Sequence, residues 1–164
     1  MSVFPLNENQ QEAFQALAAR IDSGSERGTI CLVGDFQSGK TNLVKHLIKE
    51  KFNNSTNYYI SLNLYLLDEL DKHRASIAYA GAKAKIHLLI QISIEDLLDK
   101  HFQTHDLLVL DAIEMIYTYE LNLVAITDRF TRDGKCCIIC VPKSKKHNYY
   151  FDFSWGLAET IQIN

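Results

Sequence analysis

Gly34-Asp35-Phe36-Gln37-Ser38-Gly39-Lys40-Thr41 decides the reading of this chain. The segment fits the phosphate-loop pattern G-x-x-x-x-G-K-[ST], which has a mechanism attached to each fixed position. A loop that wraps backbone N–H groups around a phosphate needs glycine at Gly34 and Gly39, where a Cβ would obstruct the turn or the ligand. The helix that follows offers unpaired amides and the positive end of its dipole. Lys40 adds a full charge against the β- and γ-phosphates, and the Thr41 hydroxyl is placed to ligate Mg²⁺. By ordinary residue frequencies the bare pattern arises by accident in about one chain in 200 of this length, and the context narrows it further. Thr29 to Val33 before it reads as a short β-branched strand, and from Gly39 onward Leu43, Val44, Leu47 and Ile48 share one helix face. The nucleotide-binding set is therefore Gly34 through Thr41 together with Asn42, and the expected ligands are ATP and Mg²⁺.

A second acidic group should complete the metal shell. Leu107-Leu108-Val109-Leu110-Asp111 is an apolar run ending in a carboxylate, about 70 residues downstream, in the order expected of a Walker B strand. Asp111 and Thr41 are the candidate Mg²⁺ ligands. Hydrolysis further requires a group that activates water. The residue after Asp111 is Ala112, so the first carboxylate available is Glu114, which either faces the γ-phosphate with Lys40 as the catalytic pair or stabilises the first turn of the next helix.

Around these motifs the chain alternates strand and helix. Ala13, Phe14, Leu17, Ala18 and Ile21 recur at helical steps, so residues 1–27 form an N-terminal helix and linker, and residues 28–164 the nucleotide-binding core of a single domain. Tyr58 to Leu62 reads as a second strand followed by a leucine-rich helix to about His73. Residues 75–92 read as a variable insertion, with Ser93 as the N-cap of a new helix and Asp96 reaching back to it. A helix over Leu121 to Arg132 precedes the run Cys136 to Val141, and Ile161 to Ile163 supplies a last strand. Strands apolar at every residue, alternating with helices, indicate a parallel sheet covered on both faces. The expected fold is a three-layer α/β P-loop NTPase, an AAA+-like core with a mostly parallel five-stranded sheet and no separate lid domain.

Composition excludes other classes. The 164 residues are 47% hydrophobic and 23% charged with seven Gly and two Pro, so the chain is neither collagenous nor disordered. A formal net charge of −3 gives no field for nucleic acid or an anionic membrane, so any DNA contact has to be local. The longest apolar run is six residues, against about 20 for a membrane span. Cys31, Cys136, Cys137 and Cys140 lie within hydrophobic stretches, and without a secretory signal they read as buried thiols of a cytoplasmic protein. Cys137 and Cys140, at redox spacing, fall on opposite faces of one strand.

Three further features carry alternatives. Ser144 or Lys143 stands where a γ-phosphate sensor belongs, or in a solvated loop. The cations Lys143, Lys145 and Lys146 lead into Tyr149, Tyr150, Phe151, Phe153 and Trp155, a grouping that suits stacked single-stranded DNA or a half-buried strand. Arg129 and Arg132 are candidates for an arginine finger in a homo-oligomer, or simply basic residues at a helix end.

The pattern as a whole is similar to a compact AAA+-type NTPase core. More narrowly it resembles the BrxF family, the small P-loop proteins of type 3 BREX phage-defence systems, through its size, Gly34 to Thr41, Tyr59-Ile60-Ser61-Leu62-Asn63-Leu64 and Leu110-Asp111-Ala112-Ile113-Glu114. The likeness extends loosely over Gly28 to Tyr150, and Ala112 departs from the polar residue of that family's pattern. The resemblance implies ATP binding, assembly with other BREX proteins and a role in restricting phage DNA. A small-molecule or nucleotide kinase would use the same loop, but it needs several arginines around its acceptor, and this chain has five, none after Pro142. A non-hydrolysing ATP-binding adaptor is the third reading, made reasonable by Ala112.

Overall fold

A computed structural model describes residues 1–23, 28–78, 81–143 and 158–164. Its centre is a sheet of β1 (Thr29–Gly34), β2 (Tyr59–Ser61), β3 (Leu107–Asp111), β4 (Cys136–Pro142) and β5 (Glu159–Gln162) in the order β2-β3-β4-β1-β5. Every pairing is parallel. Parallel strands need crossovers, and the helices that make them cover both faces. On one face lie α1 (Glu8–Ser23) and α2 (Lys40–Lys51), and on the other α3 (Leu62–Lys72), α4 (Ala82–Phe102), the single turn α5 (Met115–Thr118) and α6 (Leu123–Asp128).

The period of two along each strand divides the core. Ile30, Leu32, Leu107, Val109, Cys136, Ile138 and Cys140 pack toward α1 and α2, while Cys31, Val33, Leu108, Leu110, Cys137, Ile139 and Val141 pack toward α3–α6. Cys137 and Cys140 do lie on opposite faces, and all four cysteines are buried thiols. Burial pushes the Cys31 thiol up to about 12, with the Asp128 charge adding to it. The helix that continues the phosphate loop is firmly anchored: Leu43, Val44, Leu47 and Ile48 of α2 have no exposed surface, and each such side chain contributes about 1.5–3 kcal/mol by leaving water.

Two expectations are corrected. Residues 82–92 are the first half of a helix: α4 runs unbroken over Ala82–Phe102, so Ser93 is a buried mid-helix residue and not an N-cap. Ile86, Ile90, Ile94, Leu98 and Phe102 recur every four residues and form one stripe against the core, which holds the helix together through Ser93. The helix expected over Leu121 to Arg132 is instead the six-residue α6 within that stretch, which starts where Asn122 Oδ1 accepts the Ala125 N–H (3.0 Å). The chain leaves α6 at Arg129, so Arg132 stands beyond it and exposed. Among the described residues no helix is long and apolar enough to cross a membrane.

Candidate functional site

The carboxyl ends of β1 and β3 open into a cavity of about 370 Å³, within the ~300–1,000 Å³ usual for a small-molecule site. Phe36, Gln37, Gly39, Lys40 and Thr41 line it from the loop, Asp111, Ala112 and Glu114 from the end of β3 and the turn after it, and Ser2 and Phe4 from the N-terminal segment. β4 runs between the two strands that carry the motifs.

The loop is built as its glycines require. A Cβ on Gly34 would stand 2.5 Å from Ser38 Oγ, and Gly39 sits at φ +90, a left-handed conformation that suits glycine. Gln37 is left-handed as well, at φ 64. Lys40 is almost fully buried; its Nζ donates to Gly34 O and Asp35 O, both at 2.7 Å, and to Ser38 Oγ at 3.3 Å. Burial holds this ammonium below the ordinary lysine value, against the pull of the Asp111, Asp35 and Glu114 carboxylates. A cation whose hydrogen bonds go to carbonyls and a hydroxyl is ready to exchange them for phosphate oxygens. Asp35 and Phe36 are exposed, and of the two Phe36 lines the cavity. Asn42 also lines the cavity, but its amide is engaged with the backbone of Phe4, accepting the N–H (2.8 Å) and donating to the carbonyl (2.9 Å).

Thr41 and Asp111, 70 residues apart, meet: the Thr41 hydroxyl donates to Asp111 Oδ2 at 2.6 Å. The carboxylate also accepts Tyr59 OH on Oδ2 (2.8 Å) and the Ala112 N–H on Oδ1 (2.9 Å). Two hard oxygen donors of this kind fit Mg²⁺, which takes one or two protein ligands beside phosphate and water.

Past Asp111 the chain turns through Ala112 at φ 50 and presents Glu114 to the same cavity. Asn63 at the start of α3 fixes that turn. Its N–H donates to Ala112 O (2.9 Å), its Oδ1 accepts the Met115 N–H (2.9 Å), and its Nδ2 donates to Glu114 Oε2 (2.7 Å). Glu114 is thus the residue before α5, where its side chain makes no capping hydrogen bond, and a carboxylate at the cavity.

Other candidates fall elsewhere. Arg129 donates to Glu95 of α4 at 2.5 Å, inside its own chain. Lys143 is exposed just past β4, where its N–H donates to Gly34 O (2.8 Å). Ser144, Lys145, Lys146, Tyr149, Tyr150, Phe151, Phe153 and Trp155 lie outside the described residues. Sequence reasoning missed three contributors: Tyr59, Asn63 and Gln10. Gln10 had a readable signal, since Asn7 and Gln10 form a capping box in which Gln10 N donates to Asn7 Oδ1 (2.9 Å) and Asn7 N to Gln10 Oε1 (3.2 Å). Its remaining Nε2 donates to Ser38 O of the phosphate loop at 2.9 Å.

No protein-family model and no curated protein matches this chain. Solved structures do match. DnaA from Aquifex aeolicus, bound to AMPPCP, superposes with a TM-score of 0.57 at 16% identity, over 98% of this chain and 49% of that one. Domain III of the Thermotoga maritima replication initiation protein DnaA gives 0.56 at 15% identity, over 96% of this chain and 64% of that one. The fold is a three-layer P-loop NTPase fold. This chain spans about half and under two thirds of the respective chains it matches.

Proposed function

We propose that the protein binds ATP with Mg²⁺ at the Gly34–Thr41 loop and hydrolyses it, using nucleotide state to regulate or assemble larger complexes. The observation that carries this reading is the meeting of Thr41 and Asp111 beside a buried, carbonyl-held Lys40 in one cavity. Lys40 binds and orients the β- and γ-phosphates; Thr41 and Asp111 hold the ion, whose charge offsets that developing on the transferred phosphoryl. Glu114, kept at the cavity by Asn63, accepts the proton of the attacking water. The analogue bound by Aquifex DnaA is a property of that protein; on the shared fold it supports nucleotide as the ligand here.

The adaptor reading has two observations in its favour: Ala112 occupies the position after Asp111, and Glu114 is already paired with Asn63. The finer assignment, to a BREX-type phage-defence system with other BREX proteins as partners, rests on the resemblance to BrxF proteins. Homo-oligomerisation, DNA contact through Lys143–Lys146 and a cytoplasmic location belong to the same proposal. Phosphate release by the purified chain, with Mg²⁺ or EDTA and with or without DNA, tests it. Mg²⁺-dependent release is expected, whereas tight ATP binding with no release under any condition favours the adaptor, and transfer to a small acceptor favours a kinase.

A further inference from the structure

Asp111 takes more donors than burial of a strand-end carboxylate requires. A carboxylate offers about four lone-pair sites, two on each oxygen. Thr41 and Tyr59 fill Oδ2 from two different elements, α2 and β2, while the Ala112 N–H holds Oδ1. Thr41 belongs to the ligand set, and its hydroxyl can serve an ion with a lone pair while still donating its proton to Asp111. Tyr59 has no such second task. It is not among the residues that line the cavity, and its register explains why a tyrosine stands there. Tyr59 pairs with Val109 across the parallel ladder, and the period of two makes Asp111 the next residue on Val109's face. A hydroxyl at the tip of a ring spans that diagonal, which a shorter side chain could not. The ring itself lies under Lys45, whose Nζ is 5.7 Å from the centroid, so a phenylalanine would pack in the same place without the hydroxyl.

We propose that Tyr59 is a positioning residue for the metal of this site: its phenol fixes the Asp111 carboxylate in the orientation in which Asp111 and Thr41 hold Mg²⁺. The inference rests on the ATP and Mg²⁺ reading and adds to it a residue that touches neither. Ligating carboxylates are commonly held by such outer partners, whose loss typically costs about 10- to 100-fold in metal affinity.

The test is a titration of the full chain with a fluorescent, non-hydrolysable ATP analogue, first in EDTA and then across a Mg²⁺ series. For Tyr59→Phe the affinity in EDTA should stay within about two-fold of wild type, because the phosphates do not meet the phenol, while the Mg²⁺ concentration for half-maximal enhancement rises about ten-fold or more. Tyr58→Phe, altering a ring that packs on Phe52 and His105, should change neither. Asp111→Asn should lose the Mg²⁺ enhancement, and adding Tyr59→Phe to it should cost nothing more, the non-additivity expected of a residue that acts through its partner. An unchanged Mg²⁺ midpoint in Tyr59→Phe, an equal loss in EDTA and Mg²⁺, or additive effects in the double variant would each overturn the proposal alone. Failure of wild type to bind the analogue at all would remove the nucleotide reading beneath it.

Discussion

The two ends of β3 hold very different chemistry. At its amino end Asp106 O accepts the Cys136 N–H (2.8 Å), and Leu107 O takes a 2.7 Å hydrogen bond from His101 Nε2. His101 stacks on His105 at 4.8 Å, and Tyr58 meets His105 edge-on. There the polar atoms close backbone valences and the rings pack. At the carboxyl end, three donors converge on the side chain of Asp111, and Lys40 and Glu114 stand beside it in a cavity. The first end uses its polar groups up in making the fold. The second keeps a surplus that only a ligand would use.

That contrast is broken most strongly by changing Glu114. Glu114→Gln retains the hydrogen bond from Asn63 through its carbonyl but removes the proton acceptor, so phosphate release should fall by about 10²- to 10⁴-fold with ATP affinity within a few-fold of wild type. Unchanged release would leave Glu114 a turn residue. A smaller effect, on stability, is expected at the same end of the sheet from Gly39→Ala. The new Cβ would lie 2.1 Å from Gln10 Nε2 on a residue at φ +90. The glutamine can swing away, but the backbone strain remains, costing about 1–3 kcal/mol in urea unfolding. A variant as stable as wild type would mean that the loop relaxes without penalty.

The smallest effect belongs to the amino end. Burial, with His105 nearby, holds the His101 imidazole below its ordinary value of 6.5, against the pull of its bond to Leu107 O. The unfolded chain therefore binds a proton there before the folded chain does. Its contribution is lost as pH falls through 6.5 and levels off below the folded value. His101→Gln, which keeps a donor for Leu107 O, should flatten the acid side of the stability profile and leave phosphate release untouched. An unaltered profile, or a loss of release, would blur the distinction between the two ends.

What was legible in the sequence follows the same division. Strands and their faces were readable because period-two burial acts on every residue: the runs ending at Gly34 and Asp111 emerge as β1 and β3, side by side with β4, and Thr41 reaches Asp111. The turn after β3 was not readable, because a left-handed alanine at residue 112 has no compositional sign, and its brace, Asn63, lies 51 residues from Glu114 in the chain. Nor was Tyr59, whose role depends on a diagonal across a parallel pair. The stripe from Ile86 to Phe102 was present in the sequence and was obscured by Gly81 and the alanines around it. A serine at position 93 looked like a cap only while the residues before it were not read as helix.

Titration of the wild-type chain and of Lys40→Ala with a non-hydrolysable ATP analogue and Mg²⁺ tests the account at its base. Wild type should bind one equivalent, and Lys40→Ala, with its melting curve retained, should bind at least about a hundred-fold more weakly, as expected when one member of a buried charge pair is removed. Equal affinity in the two, or no binding by wild type, would contradict the assignment of the Gly34–Thr41 loop as a phosphate site.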